Sequence, residues 1–182
     1  VRFNYPGRET LAGAVLFTYL LPSVVLVIPL YFLMAALGLV NSLLSLVIAY
    51  TTFALPYALW LLRSFMSAIP ADLEAAALVD GESRFRAFID VILPQAAPGI
   101  ISTALFTAIL AWNEYLFALV LINSDASRPL TTGVMSMLVT SFNIEWSLLM
   151  AASVMMSVPL LVVFVFLQKY LTRGFGAGAV KG

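Results

Sequence analysis

Residues 10–37 form a run of 28 positions without a charged side chain, residues 43–62 a second of 20, and residues 147–168 a third of 22. Residues 99–122 add a run of 24 with a single charge, Glu114. A helix rises about 1.5 Å per residue, so about 20 apolar residues cross the roughly 30 Å of hydrocarbon in a bilayer. All four runs are long enough, and their apolarity is continuous rather than alternating, which excludes barrel strands. The fold class that follows is an all-α integral membrane protein, a polytopic transmembrane helix bundle. Composition agrees: 63% of the 182 residues are hydrophobic and 10% charged, against about 45–50% and about 25% in soluble domains. Nine basic and nine acidic groups could not wet the exterior of a soluble chain of this apolarity. That excludes a soluble enzyme, and the zero net charge offers no basic footprint for nucleic acid. With no Cys and no His, thiolate and imidazole chemistry and the usual zinc or copper sites are excluded, and no metal site is expected.

The first run is over-long and must tilt, kink or project. Pro22 and Pro29, seven apart and so near one helix face, mark where a kink is expected. Pro56 and Pro159 lie within the second and fourth runs, where neighbouring helices tolerate them. Basic residues set the orientation. Arg2 and Arg8 precede the first run, Arg63, Arg84 and Arg86 separate the second from the third, and Lys169, Arg173 and Lys181 follow the fourth. The opposite side holds only Arg128, a split of eight to one. The positive-inside rule then puts both ends of the sequence and residues 63–98 in the cytoplasm, and residues 123–146 outside. The whole of 1–182 is expected to be one transmembrane domain with a cytoplasmic tail over 169–182. No internal repeat is visible.

Five of the nine acidic residues, Asp72, Glu74, Asp80, Glu82 and Asp90, fall in the 63–98 loop. The loop reads as two short helices with a break. Pro70 suits a first helical position, and Asp72 and Glu74 complement the dipole of the opening turn. Ala75, Ala76 and Ala77 follow, with almost no side-chain bulk, and Gly81 is a plausible C-terminal stop. Phe85, Phe88, Ile89 and Ile92 then repeat at i, i+3, i+4 and i+7 as an amphipathic stripe, expected to lie on headgroups or beneath the bundle. The alanine-rich helix gains little from lipid but allows close backbone approach, which favours a protein partner.

Glu74-Ala75-Ala76, Gly81 after four intervening residues, and Val91-Ile92-Leu93-Pro94 after nine more resemble the cytoplasmic EAA loop of ABC importer permeases. Val91 stands where that pattern usually has Ile. Trp112-Asn113-Glu114-Tyr115 and the ending Gly176-Ala177-Gly178-Ala179-Val180-Lys181-Gly182 are similar to the carbohydrate (maltose-type) permeases. The resemblance covers essentially the whole chain and implies a binding-protein-dependent permease of a prokaryotic cytoplasmic (inner) membrane, without enzymatic activity. Six spans are typical of the family, so two are expected to be missing at the N-terminal end. The implied partners are a second permease subunit, two ATP-binding subunits that hold the ATP and Mg, an external substrate-binding protein, membrane lipid and a small sugar. The resemblance makes Glu74, Ala75, Ala76 and Gly81 contacts to the ATPase, with Asp80 beside them; Glu74 would pair with a basic group there. The tail would also touch the ATPases, whereas its composition alone indicates only a flexible end.

An ionised acid in mid-membrane costs roughly 2.5–3.5 kcal/mol, so Glu114 should face protein or water. It lies eight residues from Ile122, about 12 Å along a helix and hence external to the midplane. Trp112, Asn113, Glu114 and Tyr115 form a polar, aromatic group that suits sugar hydroxyls and an apolar ring face; an inter-helix hydrogen bond is the equal alternative. In the 123–146 connection, Val134, Met135, Leu138 and Val139 suit a partly immersed helix or a docking surface. No G-x-x-x-x-G-K-[ST] loop occurs, so nucleotide hydrolysis is expected from a partner. Glycerol phosphate or another small solute is the alternative cargo, disfavoured for anions because the runs contain no basic group. An intramembrane enzyme would need more than the lone acid Glu114.

Overall fold

A computed structural model describes residues 2–138 and 145–176. The expectations for Val139 and for 177–182 of the tail lie outside these residues. Among the described residues there is no strand, and helices cover nearly the whole path. They are α1 (Arg8–Leu20), α2 (Ser23–Ala36), α3 (Leu43–Ala68), α4 (Ala71–Val79), α5 (Arg84–Ala87), α6 (Leu93–Trp112), α7 (Leu116–Leu121), α8 (Leu130–Leu138) and α9 (Trp146–Gly176). Among the described residues three helical stretches are long and apolar enough to cross a bilayer: Leu43–Ala68, Arg84–Trp112 and Trp146–Tyr170. The protein is an all-helical membrane bundle.

The first uncharged run is not one helix. α1 and α2 meet at a bend of 95°. Leu21 is extended (φ −68°, ψ 126°) because the ring of Pro22 disfavours helical backbone before it, and Pro22 itself has no N–H to continue the ladder. Pro29, by contrast, sits inside α2 without ending it. The turn to α3 is fixed by Asn41, which adopts φ 64°, a conformation Asn tolerates better than most residues. Its side-chain oxygen accepts from the N–H groups of Asn123 (3.0 Å) and Ser124 (2.8 Å), and its own N–H donates to the Leu121 carbonyl (2.8 Å). Ser42 then caps α3 by accepting from Leu44 N–H at 3.2 Å.

α3 continues past residue 62 to Ala68. The amphipathic stripe does not form a separate surface helix either. α5 passes through a π turn at Phe88–Ile92, with Leu93 N–H donating to the Phe88 carbonyl, directly into α6. The wider i→i+5 turn breaks the 3.6-residue period. Ile92 is therefore buried while Phe85, Phe88 and Ile89 are exposed.

The expected helix across 99–122 ends ten residues early, at Trp112. Asn113 donates its side-chain amide to the Ile109 carbonyl at 2.8 Å, and Glu114 opens a new helix instead of extending the old one. The core sits around that new helix: Phe117, Ala118, Leu121 and Ile122 pack with Met34 of α2 and with Leu46 and Ala49 of α3. Phe53 stacks on Phe117 with ring centroids 6.1 Å apart. α6 lies between α3 and α9. Nothing in the Trp146–Tyr170 stretch of α9 is buried, so this helix presents its apolar surface outward, as a lipid or subunit contact requires.

Candidate functional site

α4 is a nine-residue helix held between two of the long helices. Pro70 occupies its N-cap, one position earlier than the sequence predicts, and Asp72 and Glu74 fall in the first turn. At the other end Gly81 has φ +90°. Its N–H donates to the Leu78 carbonyl at 3.2 Å and that of Glu82 to the Ala77 carbonyl at 3.0 Å. This is the Schellman termination, which needs a left-handed residue at that position. No described residue lies within 4 Å of where a Gly81 side chain would start, so among these residues the glycine is required by conformation and not by crowding. Asp80, just before it, is exposed.

Helical spacing divides the remaining residues between two faces. Asp72, Ala75, Ala76 and Val79 are all exposed and lie at i, i+3, i+4 and i+7. Glu74, Ala77 and Leu78 form the inner face, with Ala77 buried, where α4 packs on the Arg84–Ile92 stretch. Ala75 and Ala76 thus point away from the chain and Glu74 points into it. The Glu74 carboxylate lies 3.7 Å from the Arg2 guanidinium, each side chain 23% exposed. Arg2 carries no signal beyond its charge in the sequence, 72 positions away.

The aromatic and polar group forms a second locus. A cavity of about 210 Å³ is lined by residues that include Trp112, Glu114, Tyr50 and Thr131. Asn113 and Tyr115 do not line it. The cavity is smaller than the roughly 300–1,000 Å³ of drug-sized ligand sites, so it suits one ring or part of a larger site. Both Glu114 carboxylate oxygens serve α7: one accepts from Phe117 N–H at 2.9 Å, the other from Ala118 N–H at 3.2 Å. This satisfies donors that a helix start leaves without partners and places negative charge at the positive end of the dipole. Thr131 adds a 3.1 Å hydrogen bond to the Glu114 carbonyl, joining α8 to the same point. Tyr50 approaches the carboxylate from α3. As one of the tyrosines inside an uncharged run, it was the available sequence signal for this locus; Thr131 had none. In the 123–146 connection α8 forms with Val134, Met135 and Leu138 half-buried against α9.

The sequence profile of the family described as binding-protein-dependent transport system inner membrane component matches residues 1–176. The chain is 37% identical over 181 residues to the trehalose/maltose transport system permease protein MalG of Thermococcus litoralis, covering 100% of this chain and 65% of that protein. It is 38% identical over 181 residues to the diacetylchitobiose uptake system permease protein DasC of Streptomyces coelicolor, again 100% of this chain and 65% of the relative. Against the trehalose transport system permease protein SugB of Mycobacterium tuberculosis the identity is 36% over 182 residues, covering 100% and 66%. The chain spans 65% of the length of the first two of these curated relatives.

Proposed function

The chain belongs to the family of binding-protein-dependent transport system inner membrane components, and from that premise we propose that it is a permease subunit of an ATP-driven sugar importer. In this reading it is a transport component and not an enzyme. It lines part of the pathway for a sugar, sits in a prokaryotic inner membrane with the basic-rich side inward, and receives the movement of ATP-hydrolysing subunits through α4. A second permease subunit, a pair of ATP-binding subunits and an external substrate-binding protein complete the assembly.

The observation that carries the reading is the outward face of α4. Ala75 and Ala76 are exposed, and a helix with so little side-chain bulk on its free face permits the backbone of a partner to come close. Lipid would instead favour large apolar groups there. The Arg84–Trp112 helix continues from the same loop into the bundle without a break, so a push on α4 has a stiff route to the cavity near Trp112 and Glu114. The functions named for the three relatives, uptake or transport of trehalose, maltose and diacetylchitobiose, support a neutral sugar as cargo. The cavity supports the same choice over glycerol phosphate, since among the described residues it is lined by Glu114 and by no basic side chain.

The test is ATP hydrolysis by the complete reconstituted transporter with its binding protein, offered trehalose, maltose and diacetylchitobiose in turn. Stimulation by at least one, with uptake that requires ATP, is expected. Hydrolysis indifferent to every sugar and to the binding protein would contradict the proposal.

A further inference from the structure

Resting on the reading of α4 as the ATPase-facing helix, we infer that Arg2 is a positioning residue that ties α4 to α1, so that the two move together. Its guanidinium sits at the joint between α3 and α4. One terminal nitrogen donates to the carbonyl of Ile69 at 2.6 Å and to that of Pro70 at 3.3 Å. Ile69 is the C-cap of α3 and Pro70 the N-cap of α4, both extended (ψ 123° and 138°). A cation at this place is favoured by the negative end of α3. The planar fork of Arg can serve both carbonyls and still face Glu74, which the point charge of Lys cannot.

The third contact is incomplete. Arg2 Nε is 3.7 Å from the Glu74 carboxylate, within ion-pair range but beyond the 2.7–3.2 Å of a hydrogen bond. That N–H is buried and has no hydrogen-bond partner among the described residues. A buried donor left unmade is unfavourable, so small rotations of α4 are resolved by this pair: Glu74 closes on Nε in one direction and strands it in the other. Through Glu74 the angle of α4 is therefore read by Arg2.

The movement then has a short path to α1. Asn4 accepts from Arg8 at 3.0 Å, and Glu9 bridges Arg8 (3.0 Å) and Arg63 of α3 (2.7 Å). The segment before α1 is thereby pinned at one end to the α3–α4 joint and at the other to α3 itself. Displacing α4 without α1 would break the Arg2 contacts.

These 182 residues contain no Cys, so with any thiols of the other subunits replaced, two spin labels attach only where they are placed, at Thr10 of α1 and at Leu73 of α4, both exposed and the second off the Ala75–Ala76 face. Their distance distribution is measured in the complete transporter with and without ATP and Mg. With Arg2 present, a single narrow distribution that holds its width and position on adding ATP is expected. In R2Q and in E74Q that narrow distribution is lost and ATP shifts it, because α4 moves without α1; the double variant is no broader than R2Q. R2K, which keeps the charge but loses the fork, falls between them and serves if R2Q does not assemble. An unchanged width and ATP response in R2Q or R2K, or additive effects in the double variant, would overturn the inference. If R2Q broadens the distribution but ATP moves the labels in no variant, the tie stands and the ATPase-coupling reading is what fails.

Discussion

Removing the Glu114 carboxylate tests whether this acid is there to start a helix. In Glu114→Ala the N–H groups of Phe117 and Ala118 both lose their acceptors, at 2.9 and 3.2 Å. Loss of a helix N-terminal cap costs about 0.5–2 kcal/mol. Here the acceptor is charged and half-buried, which puts the effect at the upper end, about 2 kcal/mol. Because Phe117, Ala118 and Leu121 belong to the core cluster, fraying at the start of α7 is felt by α2 and α3 as well. Glu114→Gln keeps one carbonyl oxygen for one of the two donors, so about half of that loss, roughly 1 kcal/mol, is expected. The assay is thermal or denaturant unfolding of the complete transporter, read beside the sugar concentration that half-stimulates ATP hydrolysis. The cap predicts stability falling in the order Glu114, Gln, Ala, with the sugar concentration little changed in the complexes that remain folded. A Glu114→Ala variant within about 0.5 kcal/mol of the parent would refute the argument. A Glu114→Gln variant that keeps its stability and loses sugar response would give the carboxylate to the substrate.

Gly99→Ala should weaken the packing of α6 on α3, because the added carbon would lie 2.6 Å from both Cβ and Cγ of Phe65. Those atoms sit near the backbone and cannot swing away, so a loss of about 1–3 kcal/mol is expected by unfolding, relieved only in part by adding Phe65→Ala, which removes Cγ but keeps Cβ. Gly81→Ala is strained by φ +90° alone, a cost of roughly 1–2 kcal/mol. Gly81→Asn should recover much of that in the same measurement, since Asn enters this region more readily, and equal effects of the two would argue that Gly81 is needed for close approach instead.

The four apolar runs were legible because charge is costly at every depth of a bilayer, so its absence over 20 residues is hard to imitate. Pro22 announced the end of α1, yet hydropathy carries no angle, and the 95° bend comes from the extended backbone of Leu21. The end of α6 at Trp112 was hidden for the opposite reason. A lone acid in an apolar run looks like a tolerated defect, whereas Glu114 is satisfied locally by the next helix. In the Phe85, Phe88, Ile89, Ile92 stripe, counting by 3.6 presumes a regular helix, and the π turn removes that regularity and turns Ile92 away from the other three. In the loop, the spacing already divides Asp72, Ala75, Ala76 and Val79 from Glu74, Ala77 and Leu78. What spacing could not supply was the partner of Glu74. Arg2 reaches it only because the chain folds back across the α3–α4 joint.

That small outward face of α4 bears the weight of the account, and cross-linking addresses it directly. Ala75→Cys and Ala76→Cys, introduced singly into a chain with no other thiol, are treated with a membrane-impermeant maleimide from each side and, separately, with a short thiol cross-linker in the assembled transporter. Labelling from the basic-rich side only is predicted, along with a cross-linked product to the ATP-binding subunit whose yield changes when ATP and Mg are added. Labelling confined to the other side, or free labelling with no cross-link to that subunit under any nucleotide condition, would contradict it.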